Sequence, residues 1–368
     1  MTLTRRKTLA LIGGGTILAA SGAAAGFVMT RTPRIALAPW DQAGSYDDPR
    51  LFALSYGLLA PNPHNRQPWA VELDGGDGFI VWRDKDLNLP VTDPFARQLT
   101  IGMGCFLDLT RMAAAERGFD MQTQLFPEGE DGPVAACRFV DGGVPDPLFA
   151  YVMDRRSHKE AFEPRKVTAD AAAPLVDYAQ LHLGGDSTER LRTLAHEAWL
   201  IEVATPAAWQ ESIDLLRIGK AEINANPDGI DAGGPFLEGL AAVGVFTREA
   251  ASDVTNPGTR NAIEETASAI LGAPGFVVQT TPGNSRIDQI AAGADWLRLN
   301  LAATGAGLAL RPVSQALQEY AEVAGSFNAM QSEFANAGET VQMLGLLGYG
   351  AQTPRTPRWP LEAKRLDA

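Results

Sequence analysis

The sequence predicts an α+β fold made of two related halves. Three observations predict it. Helical and strand-like patterns are mixed along the chain, two apolar helices repeat in register, and Gly/Pro turns separate the elements. The 368 residues, 45% hydrophobic and 20% charged, have an ordinary globular composition, enough for one large core or two domains of about 150 residues each. A formal net charge of −13 argues against nucleic acid or anionic lipid as a partner, since neither is drawn to an acidic surface. His64, His158, His182 and His196 are too scattered for metal-ligand spacing. Cys105 and Cys137 cannot build a disulfide framework; they either form one bridge in an oxidising compartment or remain two buried thiols.

The first element is an address. Thr4-Arg5-Arg6-Lys7-Thr8-Leu9 places paired arginines ahead of an uncharged, Gly/Ala-rich run over 9–30. A membrane span needs about 20 strongly apolar residues. This run is long enough, but Gly13, Gly14, Gly15, Gly22 and Gly26 weaken it. Ala23-Ala24-Ala25 offers small residues for cleavage. Residues 1–30 therefore read as a twin-arginine signal segment, with the mature chain starting near Gly26. The alternative is an uncleaved anchor helix. Such a signal suits a protein that folds around a cofactor before export, so a periplasmic or exported location is expected, with membrane contact only through this segment.

Strands are predicted over 69–73 and 79–82, joined through Asp74-Gly75-Gly76-Asp77-Gly78 as a hairpin. A helix follows over about 99–117 and ends at Gly118. Residues 275–280 read as a buried strand closed by Pro282-Gly283. Ser285-Arg286-Ile287-Asp288 then reads as a capping box opening a second helix. In it Ile287, Ile290, Ala294, Leu297 and Leu301 share one face, and Gly305 and Gly307 end it.

The two helices match in register. Gly104, Leu107, Met112, Ala113, Ala114, Gly118 and Phe119 align with Gly293, Trp296, Leu301, Ala302, Ala303, Gly307 and Leu308, at a constant offset of 293 − 104 = 189. A duplicated core helix suggests halves over 31–150 and 151–368, packed as an intramolecular pseudo-dimer that is a monomer or weak dimer in solution. Residues 218–245, with Asn224-Ala225-Asn226-Pro227-Asp228-Gly229 and Gly233-Gly234-Pro235, form either a lid or an ordinary surface insertion.

Three stretches carry chemistry. Ala60-Pro61-Asn62-Pro63-His64-Asn65-Arg66-Gln67-Pro68-Trp69 is a stiff turn before a strand, able to aim amides at a planar ligand or simply to be structural. Asp154-Arg155-Arg156-Ser157-His158-Lys159-Glu160-Ala161-Phe162 puts three cations and a hydroxyl within five residues; this suits a phosphate, or a solvated helix start. Gln352-Thr353-Pro354-Arg355-Thr356-Pro357-Arg358-Trp359-Pro360 sets arginines beside prolines, in a stiff anion clamp or a loose tail.

Together these stretches resemble the nitroreductase-like FMN flavoproteins, in particular their two-halved Acg-like branch with a twin-arginine signal. The resemblance extends over most of 45–362. Asn65-Arg66-Gln67-Pro68-Trp69 looks like the family's N-x-Q-P-W turn, and Arg155-Arg156-Ser157-His158-Lys159 looks like its phosphate motif. Gly305-Ala306-Gly307-Leu308-Ala309-Leu310-Arg311-Pro312-Val313-Ser314 looks like its helix exit toward flavin N5. Phe162 lies one residue further from Lys159 than in single-domain members, and the asparagine turn precedes the basic motif rather than following it. Both departures fit the two-halved branch. The resemblance implies a nitroreductase-like fold and one bound FMN at the junction of the halves. It implies that Asn65 and Gln67 contact the ring, and that Arg155, Arg156, Ser157, Lys159 and Arg358 hold the phosphate. Backbone at Pro312, Val313 and Ser314 would meet N5. The implied activity is hydride transfer to a small-molecule acceptor such as a quinone or nitro compound, with a nicotinamide or a protein as electron donor. The alternative is a non-catalytic FMN-storage protein. No side chain stands out in the sequence as a proton donor.

Overall fold

A computed structural model of the chain describes residues 30–366 together with Phe27. The signal assigned to 1–30 thus lies outside the described residues, apart from Phe27 and Thr30. Helices α1 (Arg34–Gln42) and α2 (Pro49–Gly57) precede the hairpin β1 (Trp69–Asp74) and β2 (Gly78–Arg83). Helix α3 (Arg97–Glu116) follows, then β3 (Phe119–Leu125) and β4 (Ala135–Asp141). These strands form an antiparallel sheet in the order β1-β2-β4-β3.

The later half repeats this plan. Strand β5 (Gln180–His182) leads, after a long helical excursion, to β8 (Gly275–Thr281). Helix α9 (Arg286–Gly305), β9 (Ala309–Pro312), α10 (Ala324–Phe334) and β10 (Thr340–Gly348) complete it. The second sheet runs β5-β8-β10-β9, also antiparallel throughout. Strand for strand, and with the long helix between the second and third strands, the connectivity matches that of the first sheet.

The two long helices cross at Gly104 and Gly293, one of the aligned pairs. A methyl group added to Gly104 would run into the Ile290 carbonyl, and one added to Gly293 would run into the Ile101 carbonyl. Ile101 and Ile290 are themselves 290 − 101 = 189 apart, so the contact is reciprocal and both backbones need the missing Cβ. The first residues of the helices extend the pattern, since 286 − 97 = 189. The buried Arg97 guanidinium donates to the Gln342 and Leu317 carbonyls at 2.7 and 2.6 Å in the second half. Arg286 reaches the other way, to Thr100 Oγ1 and Glu130. Helix α3 is buried along almost its whole length, so its apolar character all round suits a core helix. One continuous core, including Trp69, Phe79 and Phe106 with Val277, Trp296 and Leu310, spans both halves.

The hairpin, the capping box at Ser285 and the buried β8 strand stand as expected. Helix α3 begins two residues earlier than read, at Arg97, because the Asp93 carboxylate caps the Gln98 and Leu99 N–H groups. Cys105 and Cys137 are both buried free thiols.

Between β5 and β8 lie α4 (Asp186–Ala204), α5 (Pro206–Asp214), β6 (Leu216–Ile218), α6 (Gly219–Ala225), β7 (Ile230–Ala232), α7 (Pro235–Ala242) and α8 (Pro257–Gly272). This excursion replaces the tight turn of the first hairpin and contains 218–245. The C-terminal segment then crosses back over the first half. Arg358 N–H donates to the Ala36 carbonyl, and Arg365 bridges Val71 in parallel. The tail is therefore anchored rather than loose.

Candidate functional site

The Pro/Asn turn before β1 is the central wall of the site. His64, Asn65 and Gln67 all have left-handed backbone, with φ of 46°, 52° and 49°. For non-glycine residues each such conformation costs on the order of 1 kcal/mol or more, and persists only where the surroundings over-determine it. They do so here. Gln67 N–H donates to Asn62 Oδ1 at 2.7 Å, and Gln67 Nε2 donates to the Pro227 carbonyl at 2.7 Å. Gln67 Oε1 accepts from Trp359 N–H at 2.9 Å, while Lys364 Nζ donates to the Gln67 carbonyl at 2.8 Å. Arg66 pairs with the buried Asp228 at 2.6 Å, and Arg217 pairs with the same carboxylate at 2.8 Å. Segments distant in sequence thus clamp one turn.

Two adjoining cavities, each of about 200 Å³, lie against this turn. They share Pro61, Asn62, His64, Ser157 and Pro312. The first is walled by apolar groups from the crossing helices and second sheet, notably Ile101, Cys105, Trp296 and Met343. The amides of Gln98 and Gln315 lie at its edge. The second is cationic, with Arg155, Arg156, Lys159 and Arg358 all lining it.

The cations are held by backbone carbonyls more than by acids. Arg155 donates to the Leu59 carbonyl at 2.8 Å, and Arg358 donates to the Leu59 and Ala60 carbonyls at 3.2 Å. These carbonyls follow the C-terminus of α2, where the helix dipole favours positive charge. Asn65 Oδ1 accepts from Arg358 at 2.6 Å. Trp40 floors the cluster, with the Arg156, Arg355 and Arg358 guanidiniums 4.6, 5.5 and 5.7 Å from its ring centroid. Lys159 is paired with Asp231 at 2.6 Å, but Arg155 and Arg358 are buried and have no carboxylate partner among the described residues. Burial, reinforced by Arg156, pushes Arg155 down to about 10. Burial, reinforced by Arg155, pushes Arg358 down to about 9. The Arg156 and Arg358 Nε groups are buried without an acceptor. The cluster fits a phosphate monoester, which would bring charge to the buried Arg155 and Arg358 and acceptors to the Arg156 and Arg358 Nε groups.

The structure brings together Arg155, Arg156, Ser157, Lys159 and Arg358 as expected. Pro312 lines both cavities and Ser314 lines the apolar one. Ser314 N–H has no protein acceptor among the described residues. The other three expected residues are placed differently. Gln67 lines neither cavity, because its fully buried amide is consumed by Pro227 and Trp359. Asn65 lines the cationic cavity rather than the apolar one and spends its amide on Arg358 and the Pro357 carbonyl. Val313 is buried in the second core, with its N–H bonded to the Leu344 carbonyl.

Sequence reasoning missed Trp40, Asp231, Gln98, Gln315 and His64 as cavity-lining residues. His64 lay inside a motif already singled out. Trp40 and Asp231 carried no local signal, since each reaches the site only through the tail and the helical excursion. Of residues 218–245, Gly229, Ile230 and Asp231 border the cationic cavity and none lines the apolar one.

No family profile matches the chain. It is 27% identical over 337 residues to a Mycobacterium tuberculosis H37Rv protein named "Putative NAD(P)H nitroreductase Rv3131", covering 85% of this chain and 92% of that protein. The counterpart from strain CDC 1551 matches to the same extent. Among solved structures, a nitroreductase-like family protein from Bacillus cereus has 13% identity and a TM-score of 0.33, over 60% of this chain and 94% of that one. The FMN-dependent nitroreductase NfnB from Mycobacterium smegmatis in complex with NADPH has 16% identity and a TM-score of 0.37, over 59% and 96%.

Proposed function

We propose that this chain is an FMN-dependent oxidoreductase of the nitroreductase type, built as an internal pseudo-dimer with one flavin at the junction of its halves. The observation that carries this reading is the pair of joined cavities. One is lined by Ile101, Trp296 and Met343 with Gln98 and Gln315, and the other holds the buried guanidiniums of Arg155 and Arg358. The long match to proteins named as NAD(P)H nitroreductases supports it. Arg155 and Arg358 hold the phosphate, with Arg156, Ser157 and Lys159 at its periphery. Ile101, Trp296 and Met343 exclude water around the ring, Gln98 and Gln315 offer amide donors and acceptors to its polar edge, and Ser314 N–H donates toward it. When bound, FMN supplies two-electron hydride chemistry at N5.

The acceptor is a small quinone, nitro compound or similar molecule, and a reduced nicotinamide is the donor. A storage role would need the ring compartment to be covered. Instead, 218–245 closes only on the phosphate end, which favours turnover. Export through the paired arginines at 5 and 6 belongs to the same proposal.

The test is an absorbance spectrum of the purified chain, then anaerobic NADH or NADPH. A flavin spectrum that bleaches within seconds supports the reductase, and its presence in the periplasmic fraction supports export. A flavin that neither nucleotide bleaches points to storage or to a reductant supplied by a partner. Failure to take up FMN would sink the proposal.

A further inference from the structure

The chemistry just proposed leaves one demand unmet. Hydride transfer to a quinone or nitro group delivers two electrons and one proton. Completing the quinol, or releasing the oxygen of a nitro group as water, takes one further proton. The group that supplies it must reach the acceptor in the ring cavity, and among the described residues two titratable side chains line that cavity, His64 and Cys105. Cys105 is excluded. Its thiol donates to the Gly293 carbonyl at 3.0 Å, and burial pushes it up to about 12, so it keeps its proton.

We infer that His64 is a catalytic residue which hands the second proton to the acceptor in the ring cavity; the inference rests on the FMN reading above. Three observations carry it. First, His64 is one of the residues shared by both cavities, so it stands where the ring compartment meets the cationic one. Second, its backbone is left-handed, at φ 46° and ψ 24°, which a β-substituted residue adopts at a cost. The clamp on Gln67, three residues on, holds the turn that His64 belongs to, and strain of this kind concentrates where side chains must be aimed. Third, imidazole is a general acid and base, and its protonated form, populated as pH falls below 6.5, is the donor.

The charges around it are Glu211 on α5, Arg66 in its own turn, and Arg155, Arg156, Lys159, Asp231 and Arg358 around the cationic cavity. Burial pushes the imidazole below 6.5, Glu211 raises it, and Arg66 lowers it. Glu211 itself is tied to the Val91 and Thr92 N–H groups and the Thr92 hydroxyl. The step balances. For a quinone, one hydride and the His64 proton give the quinol. For a nitro group, one N–O bond breaks, and the same hydride and proton give the nitroso compound and water. The neutral imidazole then regains a proton from solvent.

The experiment separates the half-reactions in the FMN-loaded protein. His64→Asn keeps a residue that tolerates left-handed backbone, and His64→Ala serves as the second variant. Flavin reduction by NADPH needs no external proton, so its rate should fall far less than the rate of reoxidation. Reoxidation of the dithionite-reduced protein by p-nitrobenzoate should slow on the order of 100-fold. In the wild type that rate rises as pH falls through a value below 6.5; in both variants the dependence disappears. NMR of the flavin-free chain should show His64 titrating below 6.5. A wild-type pH profile in the variants, or weaker FMN binding with unchanged reoxidation, overturns the inference and makes His64 a binding contact. Absence of flavin from the wild type sinks the FMN reading instead, and the dithionite arm keeps the two failures distinguishable.

Discussion

Arg155 and Arg358 share one acceptor, the Leu59 carbonyl, which fixes two like charges side by side in a buried cavity. Such an arrangement is unfavourable on its own and favourable once an anion sits between the donors. The binding contribution should therefore exceed the folding contribution. Arg358→Met is expected to weaken FMN binding on the order of 100-fold, about 3 kcal/mol, measured by quenching of flavin fluorescence. The thermal midpoint of the flavin-free chain should move far less. Equal losses in both would show that Arg358 is a structural group.

The decisive element-scale feature is the crossing of α3 and α9, where Gly104 and Gly293 bring two backbones into contact. Gly104→Ala pushes a methyl group into the Ile290 carbonyl of a neighbouring helix that is itself packed in the core. A loss of about 3 kcal/mol in denaturant unfolding is expected, with distortion of the ring cavity that the same helices wall. Gly239→Ala in α7 is the opposite case. Nothing lies within 4 Å of its added methyl group, so the better helix former should stabilise by about 0.5–1 kcal/mol. The same sign for both substitutions would mean that the helix crossing is not close-packed.

For the whole molecule, the helical excursion and the tail work as straps. The excursion sends Asp228, Gly229 and Asp231 to the site, and the tail sends Arg358, Trp359 and Lys364. The excursion also buries Glu202, which accepts from Gln318 at 2.8 Å and from Gln315, whose side chain borders the ring cavity. Burial raises the Glu202 carboxyl from 4.5 to about 7, with the two glutamine hydrogen bonds opposing and Glu211 adding to the rise. A native pKa above the unfolded one means that the folded chain binds more protons between those values. Stability from this group is thus full below about pH 4.5, is lost as pH rises through about 7, and is gone above it, a loss on the order of 3 kcal/mol. Denaturant unfolding at pH 5 and pH 8 should show that slope, and Glu202→Gln should flatten it.

Periodicity and turn chemistry sufficed for the hairpin over 69–83, the capped helix at Ser285 and the buried β8 strand, because those signals act within a few residues. The 189-residue offset also identified the two glycines that meet at the helix crossing, since a duplicated contact leaves the same small residue in both copies. The basic cluster was legible because three cations in five residues are unusual in an acidic chain. Which amides face which cavity was not legible. Asn65 and Gln67 carry the same functional groups whether they contact a ligand or staple a strained turn, and their partners Pro227, Pro357 and Trp359 lie 150 or more residues away. Asp231 joins the site because the excursion folds back over the first half, and the tail meets Trp40 through the Thr356 carbonyl. Contacts of that range leave no pattern in local sequence; they exist only once the core has placed the segments together.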